Sequence, residues 1–232
     1  DAPRIAWHNS REILGGGEQR KLKKKAVMEL RHGYLAAITY FDAQLGKVLA
    51  ELDRLGLREK TIVVFWSDHG FHLGEHSLWA KTSNFELDAH VPMIISAPGM
   101  KRPGVKTEAL AELLDLYPTL VDLCGLPKAE GLDGRSLVPV LENPGASVKE
   151  GAYTQHPRPA YFKDAPDAMG RSVRTARWRY TEWRDFKTGV VLATELYDHE
   201  KDPLETINVA VDPANAEAIA RCRKLYRIGF PQ

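Results

Sequence analysis

The stretch TIVVFWSDHGFHLGEHSLWAK, Thr61 to Lys81, joins an apolar strand to a dense group of ionisable residues. Its first six residues are mostly apolar and rich in β-branched side chains, a pattern typical of a strand covered on both faces in a parallel sheet. Ligands of open parallel sheets bind beyond the carboxyl ends of the strands. Asp68 and His69 follow the strand directly, so this stretch predicts both an α/β fold and the place of its site.

The elements around this stretch support the same fold class. Apolar residues recur every three or four positions over residues 21–55, which predicts a long amphipathic helix that ends at Gly56. A shorter apolar run at residues 92–97 predicts a second strand, and residues 108–124 predict a helix with a kink at Pro118. We therefore predict part of a mainly parallel sheet flanked by helices.

The chain has a different pattern after Pro127. Short segments separated by turn residues predict a small antiparallel sheet, with strands near residues 151–155, 170–176, 178–183 and 194–198. A terminal helix is predicted from Pro213 to Tyr226. We divide the chain into residues 1–145, the C-terminal part of an α/β domain, and residues 146–232, an antiparallel subdomain with its helix. Residues 1–20 are predicted to be irregular.

Composition excludes several classes of protein. The 232 residues are 44% apolar and 27% charged, as in ordinary globular proteins. A net charge of +1 gives no overall field toward nucleic acid, and the basic run 21–25 is predicted to be a solvated helix start. No apolar run approaches the ~20 residues of a membrane span. The chain begins at Asp1 without a signal peptide, which suggests a fragment or a trimmed product and leaves the compartment open.

Asp68 and His69 are the candidate metal ligands, because a carboxylate beside a neutral imidazole suits a divalent ion. The alternative is a strand-end aspartate that caps a turn beside a partly buried histidine. His72 and His76 extend the pattern toward an all-histidine zinc site. Gly70 and Gly74 argue against the helix that such spacing needs, so supporting or surface roles are favoured for both histidines.

Lys81 and His90 are the candidate substrate-binding residues, and Lys81 is also the candidate catalytic residue. A lysine near a metal corner suits a tetrahedral oxyanion, sulfate or phosphate, whereas a solvated lysine is the alternative. His90 begins the next strand, where it faces either the same cavity or the sheet edge. Cys124 and Cys222 lie in no metal-ligand spacing, and no serine sits in a nucleophile elbow. The residues therefore form half of a metal-dependent oxyanion site whose attacking group is missing.

Several segments, in order, resemble the sulfatase family. The helix segment YLAAITYFD, the opening stretch as far as Ile95, LLDLYPTLVDLCGL, LDGRSLVPVL, YTQHPRP, MGRSVRTARWRYTEW and ELYDHEKDPLETIN carry the resemblance. It covers the chain from about Arg31 onward and is greatest for the iduronate-2-sulfatase branch, which has Asp-His where most sulfatases have Asp-Asn. The resemblance implies the alkaline-phosphatase-like superfold.

The resemblance also implies a mechanism. Sulfatases attack the sulfate ester with a hydrated formylglycine, and a metal binds the sulfate oxygens. Asp68 and His69 match two metal ligands, and Lys81 matches the lysine that contacts sulfate. His90 lies in a segment that matches the family's sequence, and we expect it to bind the substrate. Calcium is the expected ion, with zinc or manganese as alternatives because histidine is an unusual calcium ligand.

The departures from the family pattern are equally informative. Neither Cys124 nor Cys222 lies in the Cys-x-Pro-Ser-Arg motif that becomes formylglycine, and the Asp-Asp pair of the first strand is also absent. We therefore expect the C-terminal half of a sulfatase, inactive alone, whose partners are the N-terminal half and a sulfated saccharide. The resemblance implies a periplasmic, secreted or lysosomal location.

Two alternatives to a sulfatase stay open at this point. One is a phosphate or phosphonate monoester hydrolase of the same superfold with a transition metal. The other is a non-catalytic remnant that binds sulfated glycans or stabilises a partner chain. Gln155 to Pro159 and Trp183 are predicted either to line the pocket or to be surface loop and subdomain core.

Overall fold

The computed structural model describes residues 1–7, 13 and 22–231. Most of the predicted irregular N-terminal segment, with Lys21 of the basic run, therefore lies outside the described residues. The α-helices are α1 (Lys24–Arg54), α2 (Glu86–Ala89), α3 (Leu116–Leu123), α4 (Val138–Glu142) and α5 (Ala216–Gly229). The strands are β1 (Val63–Trp66), β2 (His72–Leu73), β3 (Trp79–Ala80), β4 (Met93–Ser96), β5 (Ala152–Arg158), β6 (Ala168–Arg174), β7 (Trp178–Asp185) and β8 (Val191–Asp198).

Helix α1 confirms the long amphipathic helix, and Gly56 follows it with φ 65°, the left-handed conformation that ends many helices. One edge of the helix packs on the first strands, where Tyr34 stacks on Phe71 with ring centroids 5.2 Å apart. No residue of α1 is buried, and Leu35, Ile38, Phe41 and Val48 are exposed. The described residues therefore cover only part of its apolar surface. None of the described helices has the length and apolar content needed to cross a membrane.

The α/β class is confirmed, but the pairing expected for its two apolar strands is wrong. Strands β1 and β4 pair antiparallel, with Val63 opposite Ser96 and Trp66 opposite Met93. Their faces are also partly open, since Trp66 is 47% exposed and Ile94 is 60% exposed. A continuous apolar run indicates a strand that is covered on both faces, but it does not encode the direction of the neighbouring strand.

The helix predicted over residues 108–124 is shorter than expected. Helix α3 begins only at Leu116, after a 3-10 turn whose Glu112 and Asp115 form a reciprocal capping box. Pro118 therefore falls in the first turn of α3, where a missing N–H is tolerated. Cys124 after α3 is exposed, Cys222 in α5 is buried, and both are free thiols.

Strands β5 to β8 confirm the small antiparallel sheet as a four-stranded meander in the order β5-β6-β7-β8. Successive residues of a strand point to opposite faces, so the sheet has two distinct surfaces. On one surface Val173, Tyr180 and Leu196 pack against Cys222 and Tyr226 of α5.

The other surface of the sheet packs against the first part of the chain. Trp183 and Tyr197 form a core with Ala6, Leu78 and Phe85. Trp183 is completely buried, which supports the subdomain-core alternative for this residue over the pocket-lining one. This surface of the sheet therefore supports Leu78 and Phe85, which lie on either side of Lys81 in the chain.

Candidate active site

The Asp68–His69 corner lies at the end of β1, between two antiparallel segments. The N–H of Ser67 donates to Pro92 O at 3.3 Å, and the N–H of Gly70 donates to Asp88 O at 2.8 Å. A Cβ on Gly70 would lie 1.8 Å from Leu87 O, so only glycine permits this close approach of two backbones. The corner is therefore fixed by backbone contacts on both sides.

The two candidate ligand atoms of the corner converge. His69 Nδ1 lies 2.8 Å from Gly70 O, and a carbonyl only accepts, so Nδ1 carries the proton. Nε2 is then left with its lone pair, 3.6 Å from Asp68 Oδ2. Bonds of about 2.2 Å from one ion to both atoms fit this separation at a near-tetrahedral angle. A backbone carbonyl behind a ligating histidine is also the usual outer support, so the pair fits a divalent metal.

Lys81 follows a hairpin formed by β2 and β3, in which His72 pairs with Ala80. Ala80 and Thr82 on either side of it have positive φ angles of 68° and 85°, a conformation unfavourable for residues with a Cβ. Such strain persists only where the surroundings hold the backbone in place. The side chains packed around residues 80–82 therefore have to hold this backbone.

His72 is part of that support and is completely buried. Its Nε2 lies 3.1 Å from Ser83 Oγ, and the hydroxyl and N–H of Ser83 each donate to Asp88 Oδ2 at 2.7 Å. His76 instead stacks on Phe85, with ring centroids 4.1 Å apart. Both contacts agree with the supporting roles favoured by the sequence.

Arg158 is the support that sequence reasoning missed. It is 7% exposed and donates to Thr82 O at 3.0 Å, next to Lys81. It also donates to Ile5 O at 3.0 Å and Ala6 O at 2.6 Å, and its guanidinium lies 4.6 Å from the ring centroid of Trp183. Burial lowers the Arg158 pKa to about 10, so the side chain is still charged at neutral pH. Its only sequence signal was the QHPRP segment.

His156 lies on the same face of β5 as Arg158, two residues earlier. Burial and then the Arg158 charge lower its pKa to about 4, and the charges of Asp88 and His69 also act on it. The imidazole of His156 is therefore neutral near pH 7. Strand β5 thus carries a neutral histidine on which the charges of His69 and Asp88 act, as the pocket-lining alternative for this part of QHPRP would require.

His90 is bound to Glu86 rather than to the corner. Its Nδ1 lies 3.3 Å from Glu86 Oε1, and this hydrogen bond raises the His90 pKa. The side chain is 77% exposed. Because the end of β1 lies beside the beginning of antiparallel β4, with Ser67 bonded to Pro92, His69 and His90 lie at the same end of this strand pair.

Glu86, His199 and Glu205 bring their ligand atoms within 4.8 Å of one another, as a metal site would. Arg179, however, donates to both carboxylates, and His199 Nε2 lies 2.8 Å from Glu205 Oε1. Burial opposes ionisation of Glu205, yet the Arg179 charge and the His199 hydrogen bond hold its pKa below the usual range. The guanidinium already fills the place of a cation, so we interpret this cluster as a buried ion-pair network.

Comparisons with known proteins identify the family of the chain. The sulfatase family profile matches residues 6–126, and the profile described as N-sulphoglucosamine sulphohydrolase, C-terminal, matches residues 74–227. The chain belongs to the sulfatase family.

Particular relatives are longer than this chain. Iduronate 2-sulfatase of Mus musculus is 34% identical in an alignment 247 residues long, and the alignment covers 79% of this chain and 44% of that protein. The chain therefore spans less than half the length of this relative.

Solved structures support the same fold. The phosphonate monoester hydrolase SpPMH from Silicibacter pomeroyi superposes with a TM-score of 0.77 at 29% identity, over 90% of this chain and 43% of that one. BT4656, solved with its substrate D-glucosamine-2-N,6-O-disulfate, superposes with a TM-score of 0.73 at 28% identity, over 84% of this chain and 39% of that one.

Proposed function

We propose that this chain is the metal-holding part of a sulfuric ester hydrolase that acts on sulfated saccharides. The observation that carries the proposal is the convergence of Asp68 Oδ2 and His69 Nε2 at 3.6 Å, at the end of a strand within the sulfatase-matched segment. The saccharide class rests on the names of iduronate 2-sulfatase and of the disulfated glucosamine bound to BT4656.

Asp68 and His69 would hold one divalent ion, for which calcium is the first candidate and zinc or manganese the alternatives. When bound, the ion would neutralise charge on the sulfate oxygens and polarise the ester. The hydrogen bond to Gly70 O keeps the His69 ring oriented with Nε2 toward Asp68. The carboxylate and the imidazole therefore need no rearrangement to accept the ion.

Lys81 would bind the sulfate group through its ammonium charge, which grows in value as negative charge develops on the oxygens. The strained backbone at residues 80–82 supports this role, since strain is retained at functional positions. His90 would contact the substrate from the same edge, with its position set by Glu86. His156 would face the saccharide as a neutral polar group.

The rest of a longer protein would supply the attacking group and cover α1. This chain lacks the Cys-x-Pro-Ser-Arg motif, and the apolar residues of α1 are exposed. A group of exposed apolar side chains on one helix often marks a surface that another part of a protein covers. We therefore propose that the isolated chain does not hydrolyse sulfate esters. We also propose that the N-terminal half of the longer protein packs on α1.

The test uses the full-length protein that contains this chain. Elemental analysis gives the bound metal, and a panel of sulfated uronate and glucosamine sugars gives the activity. Asp68→Asn should lose both metal and activity, while Asp53→Asn, an exposed aspartate paired with Arg58 on the surface, should keep both. A full-length protein in which Asp68→Asn retains its metal and its turnover would refute the assignment.

A phosphonate or phosphate monoester hydrolase is the second candidate. The observation in its favour is the TM-score of 0.77 with SpPMH over 90% of this chain. The same corner and lysine suit a tetrahedral phosphonate as well as a sulfate. Phosphonate and phosphate monoesters in the same panel discriminate the two, because turnover of these esters without turnover of any sulfated sugar would select this candidate. Absence of turnover on every ester would favour the non-catalytic remnant.

A further inference from the structure

A basic cavity lies on the surface of the four-stranded sheet that faces α5. It has a volume of about 260 Å³ and is lined by Arg171, Arg184, Thr188, Gly189, Tyr226 and Phe230. Arg171 points to the opposite sheet surface from Gly170, the residue that contacts the active-site loop through Asn84. The cavity is therefore separate from the Asp68–His69 corner.

Two hydrogen-bond donors at this cavity have no acceptor among the described residues. Arg171 Nε and the Tyr226 hydroxyl are both buried, and neither donates a hydrogen bond to the described part of the chain. The Arg184 guanidinium lies beside the Tyr226 hydroxyl, but a guanidinium can only donate to it. Tyr226 as a whole is 4% exposed, and burial raises its pKa, so its hydroxyl stays protonated. Buried polar atoms are nearly always paired, so two unpaired donors at one cavity indicate a missing acceptor.

The charge balance at the cavity favours an anion. Glu182, the cross-strand partner of Arg171, already accepts from Arg184 at 2.6 Å and from the Tyr180 hydroxyl at 2.6 Å. Arg171 makes no ion pair within the described residues, and its guanidinium lies 5.3 Å from the ring centroid of Phe230. Within the described part of the chain, the Arg171 charge at the cavity therefore has no ion-pair partner.

We propose that this cavity binds an oxyanion group, a sulfate or a carboxylate, between Arg171 and Tyr226. Guanidinium groups recognise such oxygens through two adjacent N–H donors, and the tyrosine hydroxyl provides a further donor. The volume lies below the ~300 Å³ at which sites for drug-sized ligands begin, so one small acidic group fits. The oxyanion comes either from a free ion or from an acidic saccharide. The proposal does not depend on the activity assigned to the other site.

The experiment titrates inorganic sulfate into the full-length protein by calorimetry, in a Lys81→Ala background that weakens the proposed primary sulfate contact. Arg171→Met should weaken the remaining binding about tenfold or more, because a charged donor is lost. Tyr226→Phe keeps the ring and removes only the hydroxyl, and it should weaken binding several-fold. Arg221→Gln, on the exposed side of α5, is the matched control and should change nothing.

Equal sulfate affinity in the parent, Arg171→Met and Tyr226→Phe proteins would overturn the proposal. Electron density in the cavity from the protein's own residues beyond Pro231 would overturn it as well. A sulfated oligosaccharide serves as the second probe. Binding much tighter than that of inorganic sulfate, and lost in Arg171→Met, supports the site with a saccharide as the source. Arg171-dependent binding of equal strength supports the site with the free ion as the source.

Discussion

Replacement of Arg158 by methionine should destabilise the protein strongly, although Arg158 lies outside the proposed chemistry. The side chain donates four hydrogen bonds to carbonyls, those of Ile5, Ala6, Thr82 and Pro157. At ~1.5 kcal/mol for each bond from a charged donor, their loss costs about 6 kcal/mol. Loss of the contact with Trp183 adds ~1 kcal/mol.

The opposing effect is the cost of burying the charge, which methionine does not incur. Burial lowers the Arg158 pKa from 12.5 to about 10, which corresponds to ~3 kcal/mol against the charged form. The hydrogen bonds outweigh this cost. We therefore expect Arg158→Met to lower the free energy of unfolding by about 4 kcal/mol.

The assay is urea unfolding of the full-length protein, with hydrogen exchange at residues 80–84 as a local readout. Arg177→Met is the matched control, because Arg177 also lies 4.7 Å from a tryptophan ring centroid and is hydrogen-bonded, in its case to the carboxylate of Asp198, but its side chain is 38% exposed. An exposed pair of this kind contributes little to stability, because solvent screens it. If the two variants lose the same stability, or if residues 80–84 exchange no faster in Arg158→Met, the reasoning is wrong.

Three further outcomes are expected. Gly70→Ala should lower the free energy of unfolding, measured by thermal unfolding, by ~1–3 kcal/mol because its Cβ would meet Leu87 O. The control Gly46→Ala lies on an open helix surface and should be neutral or stabilising, so equal effects of the two variants would contradict the close approach. Burial raises the Glu195 pKa to about 7, so Glu195 ionises in the unfolded state at a lower pH than in the folded state. Relative to Glu195→Gln, the free energy of unfolding of the wild type should therefore fall by ~3 kcal/mol between pH 4.5 and pH 7. A stability difference between the two proteins that does not change with pH would exclude this cause. Chelation should lower the melting temperature of the wild type by several degrees and that of Asp68→Asn hardly at all, and equal shifts would place the metal elsewhere.

Local patterns predicted most of the elements. The three-and-four spacing of α1 and the short segments of the subdomain are properties of neighbouring residues, so helix, strands and terminal helix were all found. The corner at Asp68 and His69 was named from its place after a strand. Its assignment as a metal site stays a prediction, although the convergence of the two ligand atoms supports it.

Contacts between distant residues were not predictable in the same way. Arg179 and Glu86 are 93 positions apart, and Arg158 reaches Ile5 across 153 positions. No periodicity encodes such pairs, because an arginine in a strand has the same local pattern whether it faces solvent or a buried carboxylate. The antiparallel pairing of β1 with β4 belongs to the same class, since the direction of a partner strand is a property of the chain between them.

The four-stranded sheet supports the candidate site through distant contacts of this kind. Thr82, Asn84 and Glu86 are alternate residues after Lys81, and each is hydrogen-bonded to the four-stranded sheet or the segment that follows it. Asp88 then binds back to the corner through Gly70. The spacing between Lys81 and the proposed metal ligands Asp68 and His69 is therefore set through the sheet as well as through the strand. Changes within the sheet that leave Asp68, His69 and Lys81 intact should thus alter turnover more than metal binding.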